Sequence, residues 1–145
     1  MPRSRRVPQF NAENLGPGLA AQGIEYVQLP ALGGLRKAKR ESTNLAWRNA
    51  SFRGYADYMQ TPAFQAGLEQ LIRIASAKPT AIMCAEAVPW RCHRSLIADA
   101  MIARGWQVID LMGESSAREH NLPDFARVNG TTLSYPGENT RGAPG

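Results

Sequence analysis

The alternation of helix and strand patterns between residues 61 and 112 limits the fold of this chain most strongly. Thr61 can cap a helix, Pro62 suits the first helical position, and Lys78-Pro79 would end the helix. Apolar residues recur between these ends at steps of three and four, which predicts one buried stripe made of Phe64, Leu68, Leu71, Ile72 and Ala75.

Two short apolar segments and a second helix follow. The run "TAIMC" has the form of a buried parallel strand, and "WQVIDLM" is predicted to be the next strand. Between them, a helix from Cys92 is expected to stop at Gly105, with one side formed by His93, Leu96, Ile97, Ala100 and Met101. This order predicts an α/β fold in which a small parallel, or mostly parallel, sheet has flanking helices and right-handed crossovers.

The rest of the chain has weaker patterns. Gly16-Pro17-Gly18 limits residues 11–22 to a short or broken helix, and "GIEYVQLP" alternates like a strand. "ALGGLRKAKRESTN" is predicted to be a loop and "WRNASFRGYADYMQ" a short helix. The final "PGENTRGAPG" has the composition of disorder. We therefore expect one α/β domain over residues 1–130 and a disordered tail over residues 131–145.

Charge and hydropathy indicate which partners and which cellular compartment the chain favours. The chain has 145 residues and a net charge of +5, which favours phosphates, nucleic acids or other anions, with a merely solvated basic surface as an equal alternative. No apolar run approaches the roughly 20 residues that span a bilayer, and the first residues lack the apolar core of a signal peptide. We expect a cytoplasmic protein without a membrane partner, and reduced thiols at its two cysteines.

Both cysteines flank one predicted strand-to-helix loop. Cys84 ends the strand, residues 85–91 form the loop, and Cys92-His93 begin the helix. Ligands of open parallel sheets bind at such strand ends. The helix start is electropositive, and Arg91 and Arg94 add charge, so the site suits an anion. The same field lowers the pKa of a thiol, which makes Cys92 a candidate thiolate.

Four interpretations of this loop stay open. Cys92 is a candidate nucleophile, with His93 or Glu86 in proton transfer and Arg94 holding the anion. The same groups also suit a non-covalent anion or nucleotide site. A metal site that includes Cys84 is disfavoured, because neither common zinc spacing is present. The structural alternative makes His93 a core histidine beside Ile97 and the cysteines ordinary buried thiols.

A second basic segment follows two glycines. Gly33 and Gly34 allow backbone amides to approach an anion, with Arg36 as a clamp. The aromatics of residues 47–58 suit stacking on bases, but core packing at helical spacing is favoured. No Walker or dinucleotide fingerprint is present, and no common zinc spacing either. We expect no cofactor and no metal.

The stretch "MCAEAVPWRCHRSLIADAM" resembles the signature of the Domain of Unknown Function 488 family, a Cys-x-Glu, spacer, Cys-His-Arg pattern. "PRSRRVPQFN", "EYVQLPALGGLR" and "FRGYADYM" resemble its other blocks in the same order, over residues 2 to about 112. The positions that match are Pro2, Ser4, Phe10, Asn11, Leu32, Gly33, Gly34, Arg36, Tyr55, Met59, Cys84, Glu86, Cys92, His93 and Arg94. The resemblance implies a compact α/β domain and a pocket shared by these blocks, but it brings no reaction.

The start of the chain departs from that resemblance. Similar chains usually have a strand, a helix and a second strand before the "PRSRR" block, whereas Met1 lies directly on it here. We expect that the first βαβ unit is missing or that the start codon was placed too late. An apolar sheet edge would then be exposed, which favours aggregation.

These observations favour an α/β domain that binds an anionic ligand, such as a phosphate, a nucleotide or nucleic acid, with or without thiolate chemistry. The catalytic candidates are Cys92, Glu86 and His93, and the anion-binding candidates are Arg94, Arg91, Arg36, Ser4 and Asn11; Cys84, Tyr55 and Trp90 are further pocket candidates. The alternative is a non-catalytic nucleic-acid-binding or protein-interaction module in which the motif is structural. The sequence leaves enzymatic activity and oligomeric state open.

Overall fold

Helices form most of the regular secondary structure in a computed structural model that describes residues 12–34, 36–83, 93–113 and 115–137. The helices are α1 (Ala12–Ala20), α2 (Ala50–Met59), α3 (Pro62–Ala77) and α4 (Arg94–Ala103), with a short 3-10 turn at Pro30–Leu32. The strands are β1 (Ile109–Gly113), β2 (Ser116–Glu119), β3 (Arg127–Asn129) and β4 (Thr132–Ser134).

Local capping signals account for the helix ends. The Asn49 side chain accepts hydrogen bonds from the amides of Ser51 and Phe52 at the start of α2. Thr61 accepts one from the amide of Phe64, and Pro62 takes the first position of α3, as predicted. Gly105 adopts a φ of 90° just after α4, which is the left-handed conformation expected of a helix stop. The three predicted helices from residue 50 onward are therefore confirmed.

The prediction of a parallel sheet is wrong. Strand β1 pairs with β2, and β3 pairs with β4, both in antiparallel register, so the described residues form two small hairpins. Only residues 114 and 115 separate β1 from β2, and so short a connection can join only antiparallel strands. The segments 23–30 and 80–83, which were also expected to be strands, enter no ladder among the described residues. Mixed α/β composition is the part of the fold prediction that holds.

The core lies where α2, α3 and α4 meet. Its most buried side chains come from all three helices and from the segment after β4: Tyr55, Phe64, Leu68, Leu96, Ile97 and Tyr135. Tyr135 is 1% exposed and Leu133 is 6% exposed. Both lie within residues 131–145, which the sequence analysis assigned to a disordered tail, so the folded region extends at least to residue 137.

The basic loop, residues 36–44, lies against α2 because its backbone approaches the helix closely at Gly54. An added Cβ at Gly54 would lie 2.1 Å from the Arg36 carbonyl oxygen and 2.6 Å from the Ala38 nitrogen. The chain at residues 36–38 therefore crosses α2 at the one position where no side chain is in the way. Within the described ranges, no helix has both the length and the apolar character needed to cross a bilayer.

Candidate functional site

The turn that carries the two glycines is held against α2 by side chains. Tyr55 donates its hydroxyl hydrogen bond to the Leu32 carbonyl at 2.7 Å, and Tyr58 donates to the Ala31 carbonyl at 2.6 Å. The Arg36 guanidinium lies 3.8 Å over the Tyr58 ring and donates through Nε to the Gly33 carbonyl. Arg36, predicted as an anion clamp, thus has a structural role in the turn.

His93 connects this turn to the start of α4. It is the N-terminal capping residue of the helix, and its side chain makes no capping hydrogen bond. Its ring centroid lies 5.1 Å from that of Tyr55, at an interplanar angle of 45°. An added Cβ at Gly34 would lie 2.9 Å from His93 Nδ1, so the absence of a side chain at residue 34 allows this approach. Three separate sequence blocks therefore meet at the first turn of α4.

Several predicted site residues fall outside the described part of the chain. These are Ser4, Asn11, Cys84, Glu86, Trp90, Arg91 and Cys92. Among the described candidates, the structure brings Tyr55 and His93 together and places the partly buried Arg94 directly after His93. Arg36 packs on the Tyr58 ring, which lies beside Tyr55. The roles of Cys92 and Glu86 stay predictions.

A buried carboxylate fastens the basic loop, and the sequence analysis did not single it out. Asp57 is 3% exposed and accepts hydrogen bonds from the Lys39 amide at 2.8 Å, from Ser42 Oγ at 2.6 Å and from Asn44 Nδ2 at 2.7 Å. Asn44 is fully buried and in turn accepts from the Tyr135 amide at 2.9 Å. The network fixes residues 39–44 between α2 and the segment after β4.

A second buried polar cluster includes Asp99 of α4. His120 Nε2 is 2.7 Å from Asp99 Oδ1, and His120 Nδ1 is 2.9 Å from Asp110 Oδ2. Tyr135 donates its hydroxyl hydrogen bond to Asp99 Oδ2 at 2.7 Å. Asp99 is 2% exposed, and the three other members come from β1, from the segment after β2 and from the segment after β4. The sequence signal for it was an aspartate inside the apolar face of α4.

The two carboxylates favour a charged His120 ring. The hydrogen bond to Asp99, aided by the one to Asp110, raises the pKa of His120 above its ordinary value of 6.5, although burial opposes this. Burial raises the pKa of Asp99, while the hydrogen bonds from His120 and Tyr135 lower it. Burial also raises the pKa of Tyr135, which keeps its hydroxyl as a donor. Because Asp99 accepts two donors, we assign the proton to the ring.

The comparisons with known proteins identify the family. A family model described as "Domain of unknown function DUF488" matches residues 1–101. No curated protein and no solved structure matches the chain. The match includes the glycine turn, Tyr55 and the first turns of α4, whereas both hairpins follow it in the sequence. Since the match spans more than half of the 145 residues, the chain belongs to the DUF488 family.

Proposed function

We propose that the chain binds an anionic ligand at the first turn of α4, with a phosphate, a nucleotide or nucleic acid as the ligand class. The observation that carries the proposal is the meeting of Gly34, Tyr55 and His93 at this turn. Glycine backbone and an imidazole at the positive end of a helix suit a phosphate, and the buried Tyr55 ring supports that imidazole from the core.

The charge of the chain supports an anion at this position. Arg94 begins α4, and the Gly34 turn leads within a few residues to the exposed Lys37, Lys39 and Arg40. These basic residues belong to the segment that Asp57 fastens through the Lys39 amide and Ser42. A net charge of +5 adds long-range attraction for an anion.

Cys92 and Glu86 are the candidates for chemistry in this proposal. Cys92 immediately precedes the capping residue of α4, and a helix N-terminus beside arginine lowers the pKa of a thiol. A thiolate there would be a nucleophile, with Glu86 or His93 as acid or base. Cys84, Trp90, Arg91, Ser4 and Asn11 complete the proposed pocket on the basis of the sequence motifs.

The direct test is a calorimetric titration with inorganic phosphate and with a nucleoside monophosphate. Arg94→Gln should weaken binding by about tenfold or more, because a charged hydrogen bond contributes roughly 1.5–3 kcal/mol. Gly34→Ala should also weaken binding, since its Cβ displaces the His93 ring. Arg73→Gln is the matched control: it removes the same charge from an exposed position on α3. Equal losses in both arginine variants would reject the site and leave only a general charge effect.

A non-catalytic nucleic-acid-binding module is the second candidate, and the exposed basic loop favours it. Lys37, Lys39 and Arg40 are held in place by a backbone that Asp57 fixes, so their positions do not depend on a ligand. Binding should then fall steeply from low to physiological salt. Replacing the three residues with glutamine should abolish binding to single-stranded DNA, while Cys92→Ser leaves it unchanged. The opposite pattern favours thiolate chemistry at α4.

A further inference from the structure

His120 joins two parts of the fold that are distant in sequence. It follows the β1–β2 hairpin, and its two ring nitrogens contact carboxylates on different elements: Asp99 on α4 and Asp110 on β1. The His120 amide also donates to the Val108 carbonyl at 2.8 Å, which holds the ring at the base of the hairpin. One imidazole therefore links the hairpin to α4 through hydrogen bonds to both elements.

The protonation of His120 determines how many of its two hydrogen bonds to carboxylates can form. Both ring nitrogens face a carboxylate oxygen at hydrogen-bond distance, and each bond needs a hydrogen between its two heavy atoms. A charged imidazolium has two N–H groups and a neutral imidazole has one. When the group of His120, Asp99 and Asp110 loses one proton, one of the two bonds must be lost, whichever atom held that proton.

Burial decides which bond is lost. The Asp99 side chain is 3% exposed and also accepts the hydroxyl hydrogen bond of Tyr135, so leaving its other oxygen unpaired is costly. The Asp110 side chain is 13% exposed and lies in a hairpin at the surface, where water can replace the ring. The neutral ring should keep its Nε2–H on Asp99 and turn an unprotonated Nδ1 towards Asp110, which repels that carboxylate.

Solvent can reach the ring to exchange the proton. A cleft of about 200 Å³ is lined by Trp47, Ser95, Asp99, His120, Asn121 and Pro123. Burial is low among the hairpin side chains that the structure describes: all four residues of β2 are exposed, and Ile109 and Leu111 in β1 are 47% and 62% exposed.

We propose that His120 is a proton-dependent latch, which docks the β1–β2 hairpin on α4 while the ring is charged and releases the hairpin when the ring becomes neutral. The groups that face the ring are Asp99 from α4 and Asp110 from β1, with Tyr135 contacting it through Asp99. The latch goes beyond the proposed anion site and does not rest on it. It would make the exposure of β1 respond to pH near neutrality.

The test is amide hydrogen exchange of the β1–β2 hairpin across a pH series from about pH 6 to about pH 9, with each rate corrected for the intrinsic pH dependence of exchange. The latch predicts that protection of Ile109–Glu119 falls as pH rises, while protection of the α3 amides stays constant. The Cε1–H resonance of His120 should titrate over the same range. Constant hairpin protection across the series would overturn the proposal.

Three variants make the test specific. His120→Gln should show low protection at every pH, because a side-chain amide has donors on only one of its two polar atoms. Asp110→Asn should keep the hairpin protected at high pH, because its amide can donate to the unprotonated Nδ1. Glu119→Gln is the matched control: it neutralises an exposed carboxylate of the same hairpin that is bonded to Gln107, and it should keep the pH response of the parent protein. A pH response that survives in Asp110→Asn, or that is lost in Glu119→Gln, would reject the latch.

Discussion

Gly54 gives the sharpest test of how the basic loop is held on α2. In Gly54→Ala, the new Cβ would lie 2.1 Å from the Arg36 carbonyl oxygen, 2.6 Å from the Ala38 nitrogen and 2.7 Å from the Lys37 carbonyl carbon. All three atoms belong to the backbone, so no side-chain rotation relieves the contact. The loop must move by more than an ångström to reach ordinary contact distance.

The magnitude follows from what that movement breaks. Overpacking alone costs about 1–3 kcal/mol. Displacing residues 36–38 also pulls the Lys39 amide from Asp57, and a hydrogen bond to a charged group contributes roughly 1.5–3 kcal/mol. Alanine is favoured over glycine in a helix by about 1 kcal/mol, which offsets part of the loss. We expect Gly54→Ala to lower the free energy of unfolding by roughly 1.5–5 kcal/mol.

The assay is urea unfolding of Gly54→Ala beside Gly18→Ala. Gly18 is an exposed helix position in α1, and an added Cβ there meets nothing within 4 Å. The same substitution should therefore leave stability unchanged at residue 18 or raise it by up to about 1 kcal/mol. If Gly54→Ala is as stable as the parent protein, the loop does not cross α2 as described, and the reasoning about the Asp57 network fails with it.

Three further perturbations test the buried polar groups by urea unfolding. Tyr135→Phe keeps the ring but removes the donor to Asp99, so it should cost about 1.5–3 kcal/mol; an unchanged midpoint would show that this bond contributes nothing. Asn44→Ala removes a donor to Asp57 and leaves the Tyr135 amide without its acceptor, so it should lower the free energy of unfolding by at least about 2 kcal/mol. A smaller loss would mean that water replaces the side-chain amide. Because the pKa of His120 is raised, the native state binds more protons than the unfolded state between the ordinary value of 6.5 and the higher native pKa. Stability should then fall as pH rises through that native pKa, by up to about 1.4 kcal/mol per pH unit, and His120→Gln should remove the slope; a slope that persists in the variant would assign it to another group.

Local signals in the sequence predicted the helices well. The start of α3 follows from Thr61 and Pro62, whose capping chemistry needs no distant partner. The buried face of α4 follows from apolar spacing, and Leu96 and Ile97 are indeed buried. Stop signals at Gly105 depend only on the backbone conformation of that residue.

Strand pairing depends on distant residues, and here the sequence analysis failed. The apolar run "WQVIDLM", which overlaps β1, predicts a strand but does not specify its partner, so helix–strand alternation suggested a parallel sheet. β1 instead pairs antiparallel with β2, which follows it after only two residues. A polar stretch after Gly113 was the available hint, because closely spaced turn residues favour hairpins.

The sequence analysis missed the two buried aspartates because their partners, too, are distant in the chain. Asp57 looks like a solvated helix residue in the sequence, and Asp99 lies within the apolar face of α4 with no partner nearby in the chain, although aspartate is rarely fully buried unless it is paired. Their partners lie far away in the chain: Asn44 for Asp57, and His120 and Tyr135 for Asp99. No spacing rule connects such positions, so only the folded structure identifies the two networks.

The electropositive site at the start of α4 is the central claim, and the pH dependence of Cys92 alkylation by iodoacetamide tests it most directly. Mass spectrometry follows Cys84 separately in the same sample, as an internal comparison. The account predicts that Cys92 reacts as a thiolate below about pH 7, well under the free-thiol value of about 8.5, and that inorganic phosphate slows its alkylation but not that of Cys84. An unshifted profile that phosphate does not change would contradict the anion site.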